Sequence, residues 1–127
     1  MVKQPVHSAA LPPVKGPYSP GMRAGDFLFV SGMGPLDPGT GQVIEGDFAD
    51  MVRRTLDNVR LVLEAAGAGL HQVVRTTVYL RDLDHFAQMN GIYAEYFPTD
   101  PPARTTIQAA RLPGGIEVEI DAIAYLG

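Results

Sequence analysis

Cysteine is absent from the 127 residues. Its absence excludes disulfides, thiolate nucleophiles and cysteine-based metal sites. It fits a cytoplasmic location, though secreted proteins can also lack cysteine. Histidine is scarce: His7, His71 and His85 have no HxxxH-type spacing, so no metal set is expected and all three read as ordinary surface or loop residues. No apolar run reaches eighteen residues, which argues against a helical membrane span. The first twenty residues carry a lysine but no continuous apolar stretch, so no signal peptide is expected. Phosphate-loop signatures are missing too. Pro113-Gly114-Gly115 is followed by a strand pattern, not a helix, and so is no phosphate cradle. Neither a GxSxG elbow nor a Ser-His-Asp set can be assembled. The formal net charge of −4 argues against a general polyanion-binding surface, so nucleic acid is not an expected partner, although a local basic patch would still be compatible.

What is present is one domain's worth of chain, residues 1–127, with 46% hydrophobic residues and therefore material for a core. A domain of this size still leaves much of its surface exposed. Residues 1–15 are Pro-rich and aperiodic and read as an extended or loosely ordered arm. Tyr18 lies between Pro17 and Pro20, in a fixed loop. Residues 22–24 and 27–31, joined by Gly25-Asp26, read as a hairpin, and Phe27 to Val30, apolar on both faces, reads as a strand covered on both sides. A turn at Pro38–Gly41 precedes a short strand over 42–44.

The pattern then turns helical. Phe48, Met51, Val52, Leu56, Val59, Leu63 and Ala66 recur at three- and four-residue spacing, with Asp47 as N-cap and Gly67 as the stop. A Val- and Thr-rich strand over 71–80 follows. A second helix is capped by Asp82 or Asp84, with Phe86, Met89, Tyr93 and Phe97 inward, and Pro98 ends it.

The last stretch, Pro101 to Leu126, reads as a β-hairpin around Leu112-Pro113-Gly114-Gly115. In its second strand Ile116, Val118, Ile120, Ala122 and Ala124 alternate with Glu117, Glu119, Asp121, Ile123 and Tyr125. In its first strand Arg104, Thr106 and Gln108 share a face. Paired in register, a guanidinium would sit among carboxylates, as a site or as a plain cross-strand ion pair. A strand arginine is commonly a surface charge. The functional alternative is a planar fork for a carboxylate. Three acids on one face are commonly a solvated face, and composition does not choose among them.

The class is α+β: a twisted mixed sheet with two helices on one face. Two helices cover only that face, while the other carries Phe27 or Leu28, Ile123 and Tyr125. An apolar face left over marks an interface, so an oligomer is expected.

Several segments, in order, carry a family resemblance: GPYS at 16–19, FVSG at 29–32, LDNV at 56–59, TTVYLRDLDHFAQMN at 76–90, and PARTTIQAARLP followed by IEVEIDAIA. Together the chain resembles the RidA family, the YjgF-type reactive-intermediate (enamine/imine) deaminases. The resemblance implies a chorismate-mutase-like subunit, a homotrimer with clefts between subunits, and cofactor-independent hydrolysis of 2-imino or enamine acids such as 2-iminopropanoate and 2-iminobutanoate. It implies Arg104 as the carboxylate holder and selects Glu119 as the residue that orients water and passes protons. Tyr18, Ser31, Gly32 and Asn90 would line the pocket, with a neighbour's Tyr18 or another loop residue closing the site over Arg104. Thr106 departs from the cysteine common there, which excludes any thiolate role. An Arg beside Glu119 would lower its pKa and burial would raise it, and the sequence leaves that contest open. Two other functions stay open: a non-catalytic trimeric binder of small keto acids, which Arg104 serves equally, and, from activities attributed to some relatives, a ribonuclease or translation inhibitor, which the acidic balance disfavours.

Overall fold

In a computed structural model, which describes residues 2–127, one six-stranded sheet is built from β1 (Gln4–Val6), β2 (Gly21–Ala24), β3 (Phe27–Met33), β4 (Val73–Leu80), β5 (Ala103–Gln108) and β6 (Val118–Tyr125). The order across it is β1-β2-β3-β6-β4-β5. Only β4 and β5 run parallel. Helices α1 (Phe48–Ala65) and α2 (Phe86–Tyr96) lie on one face. Single 3-10 turns at Leu70–Gln72 and Leu83–His85 lead into β4 and α2.

Local chemistry sets α1. The Asp47 side chain accepts from the Asp50 N–H at 2.9 Å, and Asp50 accepts in return from the Asp47 N–H at 3.2 Å. This reciprocal cap satisfies two of the free donors of the first turn. Gly67, at φ 77°, takes the left-handed conformation just beyond the helix end. Val52, Leu56, Val59 and Leu63 are fully buried, as their spacing predicts, and Thr55, Asn58 and Val62 are buried with them. Their cover is the helix-facing side of the sheet: Leu28, Val30, Val78, Leu80, Val118, Ile120, Ala122 and Ala124.

The opposite face has no cover among the described residues. Phe27, Phe29, Ile107 and Tyr125 are 42–46% exposed there, too much for side chains of a finished core. Phe27 and Tyr125 touch, with ring centroids 5.4 Å apart. Phe27 to Val30 is therefore covered on one side only, by contrast with the expectation of two.

Three further expectations are corrected. The C-terminal stretch is not a hairpin. β4 sits between β5 and β6, so β5 pairs parallel to β4, and β6 pairs antiparallel with both β3 and β4. Pro113–Gly115 is a 3-10 turn inside a crossing loop. The physical reason is that β6, with a wholly apolar inner face, gains most from the sheet's centre, whereas polar β5 suits an edge. The arm takes the extended one of its two expected forms over Gln4–Val6, which pairs with β2, and Val6 and Leu11 are buried. Residues 42–44 form no strand, only an isolated bridge between Leu36 and Val43. Ile116, assigned above to the helix-covered face, precedes β6 and is buried against Gly34 instead.

Candidate active site

The residues singled out above fall into two groups, one on each side of the sheet. The first surrounds Glu119. Pairing of β3 with β6 shifts between Val30 and Met33, and this irregularity carries Ser31 and Gly32. The Ser31 hydroxyl donates to the Ser19 carbonyl at 2.6 Å and the Ser31 N–H to the Pro20 carbonyl at 2.9 Å, which ties the Tyr18 loop to β3. Tyr18, Ser31, Gly32 and Glu119 line a cavity of about 430 Å³, with Lys15 at its margin and Leu36 and Ile116 as apolar wall. Gly32 is required by proximity: a Cβ there would lie 2.6 Å from Glu119 Oε2.

A buried amide holds one wall of this cavity in place. Asn58, fully buried on α1, donates from Nδ2 to the carbonyls of Gly34 and Leu36 at 2.9 and 2.8 Å. Its Oδ1 accepts from Arg54 Nε and Nη2 at 3.2 and 2.9 Å. Sequence reasoning missed Asn58. Its signal was a polar residue at helical spacing within an apolar stripe, between Leu56 and Val59.

Glu119 is half-buried and makes no side-chain hydrogen bond or ion pair among the described residues. Burial pushes its carboxyl above the usual range, and the Asp121 carboxylate adds to the push. Within one chain no arginine opposes this, so burial decides the question the sequence left open.

The second group surrounds Arg104. Arg104 pairs with Thr76, whose buried hydroxyl is 2.6 Å from the Tyr93 hydroxyl on α2. Arg104 therefore faces the helix side, at the open edge of the sheet, and not the face of Glu119. This corrects the expected cross-strand juxtaposition of the two. Hairpin register would have aligned them, whereas parallel pairing with β4 sets Arg104 beneath α2. The guanidinium lies 4.8 Å from the Tyr93 ring centroid and 5.6 Å from that of Phe86, with Nη1 4.0 Å from Met89 Sδ. Aromatic faces hold it. It has no carboxylate partner among the described residues. Thr106 shares its face, and Thr106 Oγ1 and Asn90 Oδ1 are buried without a hydrogen-bond partner. His85, expected as a plain surface or loop residue, stacks on Phe48 at 4.1 Å, and its Nδ1 is likewise buried and unpartnered.

The structure thus brings Tyr18, Ser31, Gly32 and Glu119 together, and separately places Asn90 and Thr106 on the side of Arg104. Among the described residues no cluster of His, Asp and Glu is suited to hold a metal ion. Nor is any described helix long and apolar enough to cross a membrane.

Comparison with known proteins adds a second line. Residues 8–126 match the family model described as Endoribonuclease L-PSP. A RutC family protein of Pyrococcus horikoshii is 45% identical over 98% of both chains. Reactive Intermediate Deaminase A, chloroplastic, of Arabidopsis thaliana is 40% identical over 98% of this chain and 66% of its own. Among solved structures, the E. coli YjgF gene product superposes with a TM-score of 0.90 at 38% identity, over 96% of this chain and 98% of the other. E. coli TdcF with bound serine does so with a TM-score of 0.92 at 35% identity, over 98% and 99%.

Proposed function

The chain belongs to the Endoribonuclease L-PSP family, also known as the YjgF/RidA family, and from that premise we propose that it hydrolyses small 2-imino acids and their enamine tautomers, among them 2-iminopropanoate and 2-iminobutanoate, to 2-keto acids and ammonia. The observation that carries this reading is the Arg104 guanidinium, unpaired with any acid among the described residues, on the side of the sheet that also holds the unpartnered oxygens of Asn90 and Thr106. A small carboxylate would satisfy the guanidinium, and an adjacent N–H would satisfy Asn90 Oδ1.

Glu119 supplies the acid–base half. Its carboxylate positions a water against the carbon of the N-protonated imine and takes one proton as the C–O bond forms, giving a neutral carbinolamine. The protonated carboxyl then delivers that proton to the nitrogen and, as carboxylate again, takes the hydroxyl proton while the C–N bond breaks, the C=O forms and ammonia leaves. Imines hydrolyse spontaneously, so positioning plus proton transfer is sufficient.

One chain holds Arg104 and Glu119 on opposite sides of its sheet, so in this reading the site is shared between copies: the β5 edge of one closes the Glu119 cavity of the next. Repetition of such a head-to-tail contact closes a ring, here a homotrimer, and covers the exposed Phe27, Phe29, Ile107 and Tyr125. The test is complementation. Arg104→Ala and Glu119→Gln chains, each inactive alone towards enzymatically generated imino acids, regain activity when co-assembled. An Arg104→Ala protein with the parent rate, or mixed assemblies that stay inactive, would refute the shared site.

One observation favours a second reading. The Arg104 group needs nothing from Glu119 to bind a carboxylate, so the chain would also serve as a keto-acid sensor. A Glu119→Gln protein that binds pyruvate as tightly as the parent yet has lost turnover supports the enzyme. A parent with no turnover supports the sensor. The acidic balance disfavours RNA cleavage, the activity in the family model's description.

A further inference from the structure

Glu119 is not the only carboxylate on its face of β6. Asp121 lies two residues along, about 7 Å away at strand spacing. The two groups stand in different surroundings. Asp121 Oδ1 accepts from the Thr77 N–H at 3.1 Å and Oδ2 from the Tyr79 hydroxyl at 3.2 Å, so both oxygens are held in place. Glu119, opposite Tyr79 in the register, has no donor and sits over Gly32, where nothing charged approaches from β3. We propose that Asp121 is a positioning residue of the reaction: a carboxylate fixed by Thr77 and Tyr79 on the face of β6 that carries Glu119, through which its charge acts.

The other groups that face Glu119 are uncharged or stand at the margin of the cavity. From β4 comes the Tyr79 phenol, which burial and Asp121 both hold in its neutral form by pushing its pKa up. From the N-terminal loop come Lys15 and the Tyr18 phenol, and along its own chain Glu117, which is partly buried. Lys15 is the one cation among the described residues that line the cavity. The upward push on Glu119 from burial and Asp121 is the net outcome. The acid–base step gains from it, because a carboxylate with raised affinity for protons takes one from water more readily and still returns it to nitrogen.

The inference rests on the proposed role of Glu119, so its test is read first without substrate. The Glu119 carboxyl is titrated by carbon-13 NMR in the full-length protein. In Asp121→Asn and Asp121→Ser the midpoint moves to lower pH, while Asp121→Glu, which keeps the charge, restores it towards the parent. In turnover assays the limb of the kcat/KM profile that belongs to Glu119 shifts by the same amount and in the same direction. Asn is isosteric and still accepts from the Thr77 N–H, and Ser provides a second neutral variant should the first fold poorly. A Glu119 midpoint that stays put in both neutral variants overturns the inference. A midpoint that moves with no imine turnover in any variant would overturn the proposed function alone.

Discussion

Replacing Asn58 with alanine separates stability from site geometry in one step. The substitution removes two amide donors from the carbonyls of Gly34 and Leu36, at 2.9 and 2.8 Å, and leaves the Arg54 guanidinium without its acceptor. Gly34 O keeps the Leu36 N–H, whereas no other donor is found for Leu36 O. Two neutral hydrogen bonds at about 1 kcal/mol each, plus part of the desolvation cost of a carbonyl left unmade, sum to roughly 2–3 kcal/mol. For a chain of this size 1 kcal/mol is worth about 3–4 °C, so melting falls by roughly 6–12 °C. The assay is thermal unfolding at equal protomer concentration, since any assembly makes the midpoint concentration-dependent. Because Gly34 and Leu36 line the Glu119 cavity, kcat/KM also falls at temperatures where the variant is folded. Asn58→Asp, which keeps an acceptor for Arg54 but loses the donors, does not rescue it at neutral pH. A melting point within 2 °C of the parent, as measured, would show that solvent satisfies these carbonyls and that the 34–36 segment holds itself.

Three further outcomes are expected. Glu119 has a raised carboxyl pKa in the folded chain, so its contribution to stability is complete below the ordinary carboxylate range and is lost as pH rises through the raised value. Glu119→Gln therefore melts above the parent at pH 7 and converges on it at acid pH; an equal gap at both pH values contradicts the reasoning. In Gly32→Ala the new methyl meets Glu119 Oε2 at 2.6 Å, and the carboxylate must move because backbone on β3 cannot. Stability drops by only about 1–2 kcal/mol, yet turnover falls roughly a hundredfold, and retained turnover would remove Glu119 from the reaction. Arg104→Lys keeps the charge but loses the planar fork and its seat on Tyr93 and Phe86, so kcat/KM for imino acids falls roughly 10- to 100-fold. Parent-like kinetics would mean that no bidentate carboxylate is bound there.

Much of this protein is written in short-range pattern. Asp47, Asp50, Gly67 and the apolar stripe between them suffice for α1, because a helix satisfies its own backbone and its caps lie within one turn. The alternation of β6 is enough to say that Val118, Ile120 and Ala122 face one way and Glu119 and Asp121 the other. The ordered GPYS, FVSG and PARTTIQ segments suffice for the family. Partner choice is different. A strand's alternation says which face is buried but not which neighbour it will pair with, and β4, separated from both by sequence, takes the place between β5 and β6. That one insertion turns an expected hairpin into a crossover, carries Arg104 to the helix side and leaves Glu119 on the other. The tertiary structure alone also exposes the buried amide of Asn58, whose two carbonyl partners lie more than twenty residues away. It alone sets the balance at Glu119, since proton affinity depends on which charges and how much water reach the carboxyl, and chain distance measures neither.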